Sequence, residues 1–377
     1  MKVAGIIFSN LNDNTLSRLT SDRTVAAIPF GCRYKLVDFA LSNMVHSDIV
    51  NISVVANYNF RTLAEHIGSG KDWDLARRAG GIRLISPYFT AKTSQTSMYS
   101  HRLEALKSMY DYIRELQEDV VVLSDCTDVC NIDLKAIIDK HIENDADMTL
   151  VTTPCEKDFT SKAPLLMLSS DDNGHVKNIA KSSKYLPENP QRSINIYVMR
   201  TTYLQKLLED AFAYNYTSMT DDILLHHPEK KRYYTYCYDG YVVPVYSFLD
   251  YFKNSVELTE NASGMRELLM NGERSVLTRV HNSAPCVYRE GANVHKSLIA
   301  DDCIIEGKVE NSIIFRGVKV SKGAVVKDCI LFAGTYVGAG ANLNCVVADN
   351  FVTIGDGVTL SGSKNLPFYI SRGRTVS

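Results

Sequence analysis

The sequence has little of what would place it in a membrane, on nucleic acid or outside the cell. No apolar run approaches the roughly 18 residues that span a bilayer, and the apolar start of the chain is too short for a signal peptide. Basic and acidic residues nearly balance, at 41 and 43, which gives no electrostatic footprint for nucleic acid or an anionic lipid surface. We therefore expect a cytoplasmic protein that binds neither nucleic acid nor membranes.

Paired cysteine spacings are also lacking. The nine cysteines are scattered and odd in number, which argues against a disulfide framework. Cys126 and Cys130 lie four positions apart without a second pair or a histidine beside them, so a zinc site is not favoured there. Cys303, Cys329 and Cys345 fall in apolar stretches, where we expect small buried side chains.

Apolar strands alternate with helical patterns up to about residue 245, which predicts a parallel, doubly wound α/β sheet. The predicted strands are Lys2–Phe8, Ile52–Ala56, Val120–Leu123, Met148–Thr152, Leu165–Leu168 and Ile194–Met199. The predicted helices are Phe39–His46, Phe60–Ile67, Arg102–Leu116, Leu134–Asn144 and Thr202–Tyr214. Ligands bind such sheets at the carboxyl ends of the strands.

A second pattern follows a helical connector, which we place at residues 246–284. Apolar residues then recur every six positions within three groups. These groups are Ala292, Leu298 and Ile304, then Ile314, Val320 and Val326, then Leu331, Val337 and Leu343. A six-residue period is the signature of a parallel β-helix, in which each hexapeptide forms one side of a triangular coil. We therefore divide the chain into an α/β domain at 1–245, the connector, and a left-handed β-helix at 285–377.

The segment Phe30–Asn43 resembles the region just after the phosphate loop of ADP-glucose pyrophosphorylases, the glucose-1-phosphate adenylyltransferases. Trp73-Asp74-Leu75 also occurs in that family, and its domain order is the one predicted here. The resemblance therefore covers essentially the whole chain. It implies a Rossmann-like, GT-A-like nucleotidyltransferase domain followed by the β-helix.

The family's phosphate loop reads Gly-Gly-x-Gly-x-Arg-Leu and is followed by Lys-Pro-Ala. In this chain Asn10 and Leu11 stand at the paired glycines, Asp13 at the third glycine, Thr15 at the arginine and Val25 at the lysine. A phosphate cradle needs glycines so that backbone N–H groups approach the oxygens, and it needs a cation to balance the charge of the transition state. Asp13 would place a negative charge beside a triphosphate. The resemblance thus implies the fold without the phosphate chemistry.

The family's two metal-binding aspartates are also altered. The first lies in Ser-Gly-Asp-His, and its position corresponds here to Cys126 or Thr127, with Asp125 and Asp128 close by in sequence. The second corresponds to Pro244, whose side chain cannot ligate a metal. We expect no catalytic residue, metal or other cofactor in this chain, and Mg²⁺ only in a catalytic partner.

Some binding positions of the family remain. The resemblance implies a residual sugar-phosphate site at Tyr99, Lys181 and Ser193, and an effector or anion site at Arg23, Arg33 and Lys35. An ordinary solvated surface is the simpler interpretation of the first three residues, and a basic surface without a ligand is an equal alternative for the second three. The family's adenine-side Gly-Thr-Ala is replaced by His101-Arg102-Leu103.

These features favour a regulatory, non-catalytic subunit of the GlgD type. Such a subunit would assemble with a catalytic glucose-1-phosphate adenylyltransferase subunit, as a heterotetramer, and support ADP-glucose synthesis for glycogen. The alternative is an active sugar-1-phosphate nucleotidyltransferase with a divergent loop, using Asp125 or Asp128 and one further carboxylate. An acyltransferase on the β-helix is disfavoured, because His281 and His295 sit only at its start. We also expect the α/β domain to fold without the residues after Pro285.

Overall fold

The computed structural model describes residues 1–11, 13–86, 99, 101–155, 165–181 and 189–377. Thirteen described strands belong to the α/β domain. They are β1 Val3–Phe8, β2 Pro29–Phe30, β3 Tyr34–Lys35, β4 Asn51–Val55, β5 Gly81–Ile85, β6 Val120–Ser124, β7 Asp128–Val129, β8 Met148–Pro154, β9 Leu166–Ser170, β10 Val176–Lys181, β11 Gln191–Arg200, β12 Tyr233–Cys237 and β13 Val243–Pro244. Nine of them form one sheet, and β2–β3 and β7–β13 form two short antiparallel ladders.

The nine-stranded sheet is mixed. Its half β6-β1-β4-β5 is parallel, as the alternation of strands and helices predicts. The expectation of a wholly parallel sheet is wrong, because β11 pairs antiparallel with β6, with β8 and with β9. Strands β5, β10 and β12 were not predicted, since their sequences carry polar residues on faces that are only partly buried.

Helices pack on the sheet, and the last two of them connect the α/β domain to the β-helix. They are α1 Ser17–Thr20, α2 Leu36–Val45, α3 Arg61–Ile67, α4 Arg102–Ser108, α5 Tyr110–Arg114, α6 Leu134–Glu143, α7 Thr201–Ala213, α8 Phe248–Glu260 and α9 Ala262–Leu269. The single helix predicted from Arg102 to Leu116 is broken at Met109, whose backbone leaves the helical region at φ −112° and ψ 24°. None of the described helices is long and apolar enough to cross a membrane.

After a small hairpin, β14 Met270–Asn271 and β15 Arg274–Ser275, the chain winds into a left-handed β-helix. Its strands are β16 Val287–Tyr288, β17 Asn293–His295, β18 Leu298–Ile299, β19 Ile304–Ile305, β20 Lys308–Glu310, β21 Ile313–Ile314, β22 Lys319–Val320, β23 Val325–Lys327, β24 Ile330–Leu331, β25 Tyr336–Val337, β26 Asn342–Asn344, β27 Val346–Ala348, β28 Thr353–Ile354, β29 Thr359–Ser361, β30 Phe368–Ile370 and β31 Thr375–Val376. They stack as three parallel sheets, one on each side of the coil. The predicted fold class is confirmed.

The central coils of the β-helix advance 17 residues, because Lys319 pairs with Tyr336 and Tyr336 with Thr353. Two sides of such a coil are hexapeptides and the third is one residue shorter, which explains the break in the six-residue period between Val326 and Leu331. Val320, Val337 and Ile354 lie one above another inside the coil and are fully buried.

One side of the β-helix packs on the α/β domain through α8. Tyr251 of α8 meets Phe332 edge to face, with 6.3 Å between ring centroids, within an apolar cluster that draws on both domains. Beside it, the Arg23 guanidinium lies 2.6 Å from the Asp349 carboxylate, with both side chains almost completely buried. The shared core argues against the expectation that the α/β domain folds without the β-helix.

Candidate functional site

A cavity of about 150 Å³ opens beside the carboxyl end of β6, where ligands of α/β sheets bind. Its polar lining comes from the start of α4, from the residue after β6, from β10 and β11, and from the segment around Ser218. The polar residues that matter below are His101, Arg102, Asp125, Lys181, Ser193, Asn195 and Tyr197. Two of the predicted sugar-phosphate residues, Lys181 and Ser193, therefore meet at one cavity.

Arg102 binds Asp125 inside this cavity. Its Nε lies 3.2 Å and its Nη2 2.5 Å from the two carboxylate oxygens, and Nη2 also donates to the Asn195 side-chain oxygen at 3.1 Å. The guanidinium stacks on Tyr197, with its carbon 4.9 Å from the ring centroid. Burial acts to lower the pKa of Arg102, but the Asp125 carboxylate more than offsets this and holds that pKa above its ordinary value. Both charges are thus neutralised within the chain.

A second buried arginine, Arg192, forms an ion pair with Asp128. Nη1 of Arg192 lies 2.6 Å from the Asp128 carboxylate, and both side chains are at most 5% exposed. The Tyr246 hydroxyl also donates to that carboxylate. The Asn195 amide donates to its other oxygen at 2.9 Å, so Asn195 joins the two ion pairs.

Asn195 reaches both pairs because its backbone departs from the strand. Its φ is +58°, a left-handed conformation that asparagine tolerates better than most residues. The register of β11 against β8 is irregular between Ser193 and Tyr197, as expected where an extra residue bulges from a strand. The bulge places the Asn195 side chain between Arg102 and Asp128.

The strands β7 and β13 bring together the two segments that supply metal-binding aspartates in the resembling family. Pro244 pairs directly with Asp128. Cys126, which precedes β7, is buried, and desolvation raises the pKa of its thiol well above the ordinary value. A hard cation such as Mg²⁺ needs free oxygen ligands in octahedral geometry. Proline, a protonated thiol and two arginine-bound carboxylates do not fit it, and no cluster of three metal-ligating side chains occurs in the described part of the chain.

The altered phosphate loop is held by its own side chains. The Asn10 side-chain oxygen accepts a hydrogen bond from the backbone N–H of Asn57 at 2.9 Å, and its amide donates to the Tyr58 carbonyl at 3.3 Å. Leu11 and Val25 are buried in the apolar interior. Side chains therefore fill a region where a phosphate cradle needs open backbone.

The three predicted sugar-phosphate residues lie in different surroundings. The Lys181 ammonium lies 2.7 Å from the Asp221 carboxylate, with both side chains partly exposed. The Ser193 hydroxyl accepts from the Asn195 backbone N–H at 3.2 Å. Tyr99 is buried in the apolar cluster behind the sheet. The structure thus places Lys181 and Ser193 at the cavity and Tyr99 in the core.

The three predicted effector residues also separate. Arg23 forms an ion pair with Asp349 in the domain interface, whereas Arg33 is exposed. Lys35 is half-buried, and its ammonium donates to the Thr62 carbonyl at 2.9 Å. Burial lowers the pKa of Lys35 to about 8, with Arg279 among the charges that act in the same direction.

Further basic side chains, from the connector and the β-helix, lie near Lys35 where the two domains meet. Partial burial, together with the charges of Arg316 and Arg279, lowers the pKa of His281. Arg316 itself lies 3.6 Å from Asp301, which neutralises it only partly at the surface. Lys35, Arg279 and Arg316 bring positive charge to this region, and His281 lies near them with a lowered pKa that favours its neutral ring; we call these four residues the junction cluster.

Comparison with known proteins agrees with both halves of the fold. Residues 12–180 match the nucleotidyl transferase family, and residues 284–365 match the GlmU-like C-terminal hexapeptide family. The chain is 31% identical to the glycogen biosynthesis protein GlgD of Geobacillus stearothermophilus over 377 residues, covering 99% of this chain and 96% of that protein. It is 28% identical to GlgD of Bacillus subtilis (strain 168), with coverage of 99% and 96%.

The chain is also similar to proteins that are named as an enzyme. The chain is 26% identical to the glucose-1-phosphate adenylyltransferase of Bacillus thuringiensis (strain Al Hakam), with coverage of 97% of this chain and 96% of that protein. These likenesses run through both domains, and they include the segments that carry the altered loop and the two ion pairs. The chain therefore belongs to the glucose-1-phosphate adenylyltransferase family, which includes the glycogen biosynthesis proteins GlgD.

Proposed function

We propose that this chain is a regulatory, catalytically inactive subunit of glucose-1-phosphate adenylyltransferase. It acts in glycogen biosynthesis by pairing with a catalytic paralogue, which makes ADP-glucose from ATP and glucose 1-phosphate. The observation that carries the proposal is the pairing of Asp125 with Arg102 and of Asp128 with Arg192. An active enzyme with a divergent loop would need Asp125 or Asp128, together with one further carboxylate, as metal ligands.

The same observation weighs against the alternative of an active sugar-1-phosphate nucleotidyltransferase. To bind Mg²⁺, either aspartate would have to give up a buried arginine, and separating a buried ion pair costs several kcal/mol. The altered loop adds to this, because Asn10 and Leu11 occupy the region with side chains. Both features remove charge stabilisation, which is the main catalytic term in phosphoryl transfer.

A subunit without chemistry can still regulate, provided that it binds the active conformation of its partner more tightly than the inactive one. The shared core of the two domains supports such a role. A contact made on the β-helix reaches α8 and the Arg23 segment without a flexible linker between. We include the cytoplasm as the compartment and a heterotetramer as the assembly in this proposal.

Assembly with the catalytic paralogue tests the proposal directly. Co-expressed and co-purified, the two chains should form one species whose mass fits a heterotetramer. The complex should show a higher kcat/KM, or a changed effector response, compared with the catalytic subunit alone. The matched control adds the same amount of this chain after heat unfolding. Failure of the two native chains to associate at micromolar concentration would refute the regulatory role.

The junction cluster is our candidate binding site for an anionic effector, and the exposed Arg33 stands two positions before Lys35 in the sequence. Because the pKa of Lys35 is about 8 in the free protein, its positive charge is lost as the pH rises through that value. A bound sugar phosphate favours the charged ammonium, so binding should weaken as pH rises past 8 and somewhat beyond. Lys35→Arg should move this loss to much higher pH, since arginine stays protonated.

Thermal unfolding of the isolated chain with and without a sugar phosphate measures this effect across pH. Arg61→Gln is the control, because Arg61 is a highly exposed cation on the neighbouring helix and pairs only locally with Glu65. A pH profile that is the same for Lys35→Arg and for the unchanged protein would show that Lys35 does not take part.

A further inference from the structure

We infer that the Arg102 guanidinium takes the place of a divalent cation at Asp125, so that this chain carries a cation site that its own side chain permanently fills. Removing Arg102 should uncover that site. The inference is separate from the regulatory role, because it concerns the charge balance of one cavity and not the partner.

The oxygen atoms around Arg102 are the first support. Its Nη2 lies 2.5 Å from Oδ2 of Asp125 and 3.1 Å from Oδ1 of Asn195, and its Nη1 lies 3.4 Å from the Tyr197 hydroxyl. A carboxylate, an amide oxygen and a hydroxyl are the ligand types that hard cations take in proteins. All three lie around the guanidinium, Asp125 from the residue after β6 and Asn195 and Tyr197 from β11.

The charge balance is the second support. Asp125 is 6% exposed and Asp128 is 7% exposed, and a carboxylate buried to this extent needs a cation beside it to remain charged. Arg192 supplies the cation that pairs with Asp128, and Arg102 supplies the cation that pairs with Asp125. If Arg102 were absent, Asp125 would have to take up either a proton or a cation from solution.

The cavity supplies the third support, because it gives a cation from solvent a way in. It borders Arg102, Asp125 and Asn195 on one side and opens towards Lys181 and Ser218 on the other. Arg102 is itself 11% exposed at this opening, whereas the Arg192 side chain is 5% exposed. The site uncovered by removing Arg102 is therefore accessible to a hydrated ion.

Three variants test the inference by thermal unfolding in EDTA and in a series of Mn²⁺ concentrations. Arg102→Met should melt below the unchanged protein in EDTA, because it leaves Asp125 buried without a counter-charge. Mn²⁺ should then raise its melting temperature by about 2 °C once the ion is near ten times its Kd. The unchanged protein should not respond.

Two controls separate this site from general effects of charge. Arg102→Met combined with Asp125→Asn removes both charges and should lose the response to Mn²⁺. Arg200→Met removes an arginine from Asp145 at the surface, where 66% of the aspartate side chain is exposed, and should not create a response. If Arg102→Met does not fold, Arg102→Gln makes the same prediction, since it also lacks the charge.

The inference would be overturned by either of two results. One is an Arg102 variant whose melting temperature responds to Mn²⁺ no more than Arg200→Met does. The other is Mn²⁺ binding to the unchanged protein at the same site, seen as a calorimetric signal that Asp125→Asn abolishes. Assays of partner activation do not enter this test, so its failure would leave the regulatory role standing.

Discussion

The isolated chain, supplied with ATP, glucose 1-phosphate and Mg²⁺, should form no ADP-glucose above background. Three groups that act on transition-state charge are replaced, namely the loop arginine by Thr15, the following lysine by Val25 and a metal-binding aspartate by Pro244. Each such group is typically worth roughly 10²-fold in rate. Because such groups act as a unit, we expect a deficit of at least about 10⁴-fold and not a simple product. A coupled assay of pyrophosphate release, with the catalytic paralogue as positive control, measures it.

Pro244→Asp is the informative companion to this experiment. It places a carboxylate opposite Asp128 across β7 and β13, yet Arg192 still occupies Asp128 and the loop remains altered. We therefore expect no recovery of activity. Mg²⁺-dependent turnover in the unchanged chain that Asp125→Asn removes would contradict the prediction, and would favour the alternative of an active nucleotidyltransferase.

The second large effect is expected on cutting the chain after Pro285. Without the β-helix, Phe248 and Tyr251 of α8 would lose Tyr369 and Phe332, the aromatic rings on which they pack in the cluster that both domains share. Arg23 would lose Asp349 and remain at the new surface. We expect the fragment to be insoluble or to lack a cooperative unfolding transition in urea. A fragment that unfolds cooperatively would show that the domains are independent after all.

Point variants measure the same interface in the full chain. Arg23→Met should cost about 3–5 kcal/mol of unfolding free energy, because it leaves the Asp349 carboxylate buried without its cation. Arg372→Met is the matched control. Arg372 also bridges the two domains, to Asp22, but its side chain is 47% exposed, so its loss should cost about 1 kcal/mol or less. Equal losses for the two variants would mean that the buried pair has no special weight.

The features that the sequence predicted well are local or periodic. The β-helix follows from apolar residues at fixed spacing, and β1, β4 and β6 follow from continuous apolar runs. The wholly parallel sheet was wrong because strand direction depends on which strands pair, and β11 pairs with partners far away in sequence. A helix pattern across Met109 did not reveal the break, since its apolar spacing continues through it.

At the site, the sequence could predict only which of the family's residues are replaced. The replaced loop and Pro244 are visible residue by residue, but the arginines that neutralise Asp125 and Asp128 are not. Arg102 lies 23 positions from Asp125, and Arg192 lies 64 positions from Asp128. No local pattern links such pairs. For the same reason Arg23 and Arg33 looked alike in sequence, although one is buried in the domain interface and the other is exposed.

The bridging of the two ion pairs by Asn195 has a consequence for descent. If the chain is catalytically inactive, as proposed, a catalytic centre could not return one residue at a time while both arginines are in place. Replacing Arg102 or Arg192 first would leave a buried negative charge and destabilise the fold, while restoring the lost aspartate first would add a third carboxylate to a crowded site. Selection acting on single changes would therefore meet a loss of stability before any gain in activity. Under the proposed function, the two ion pairs would therefore make the loss of catalysis hard to reverse by single substitutions.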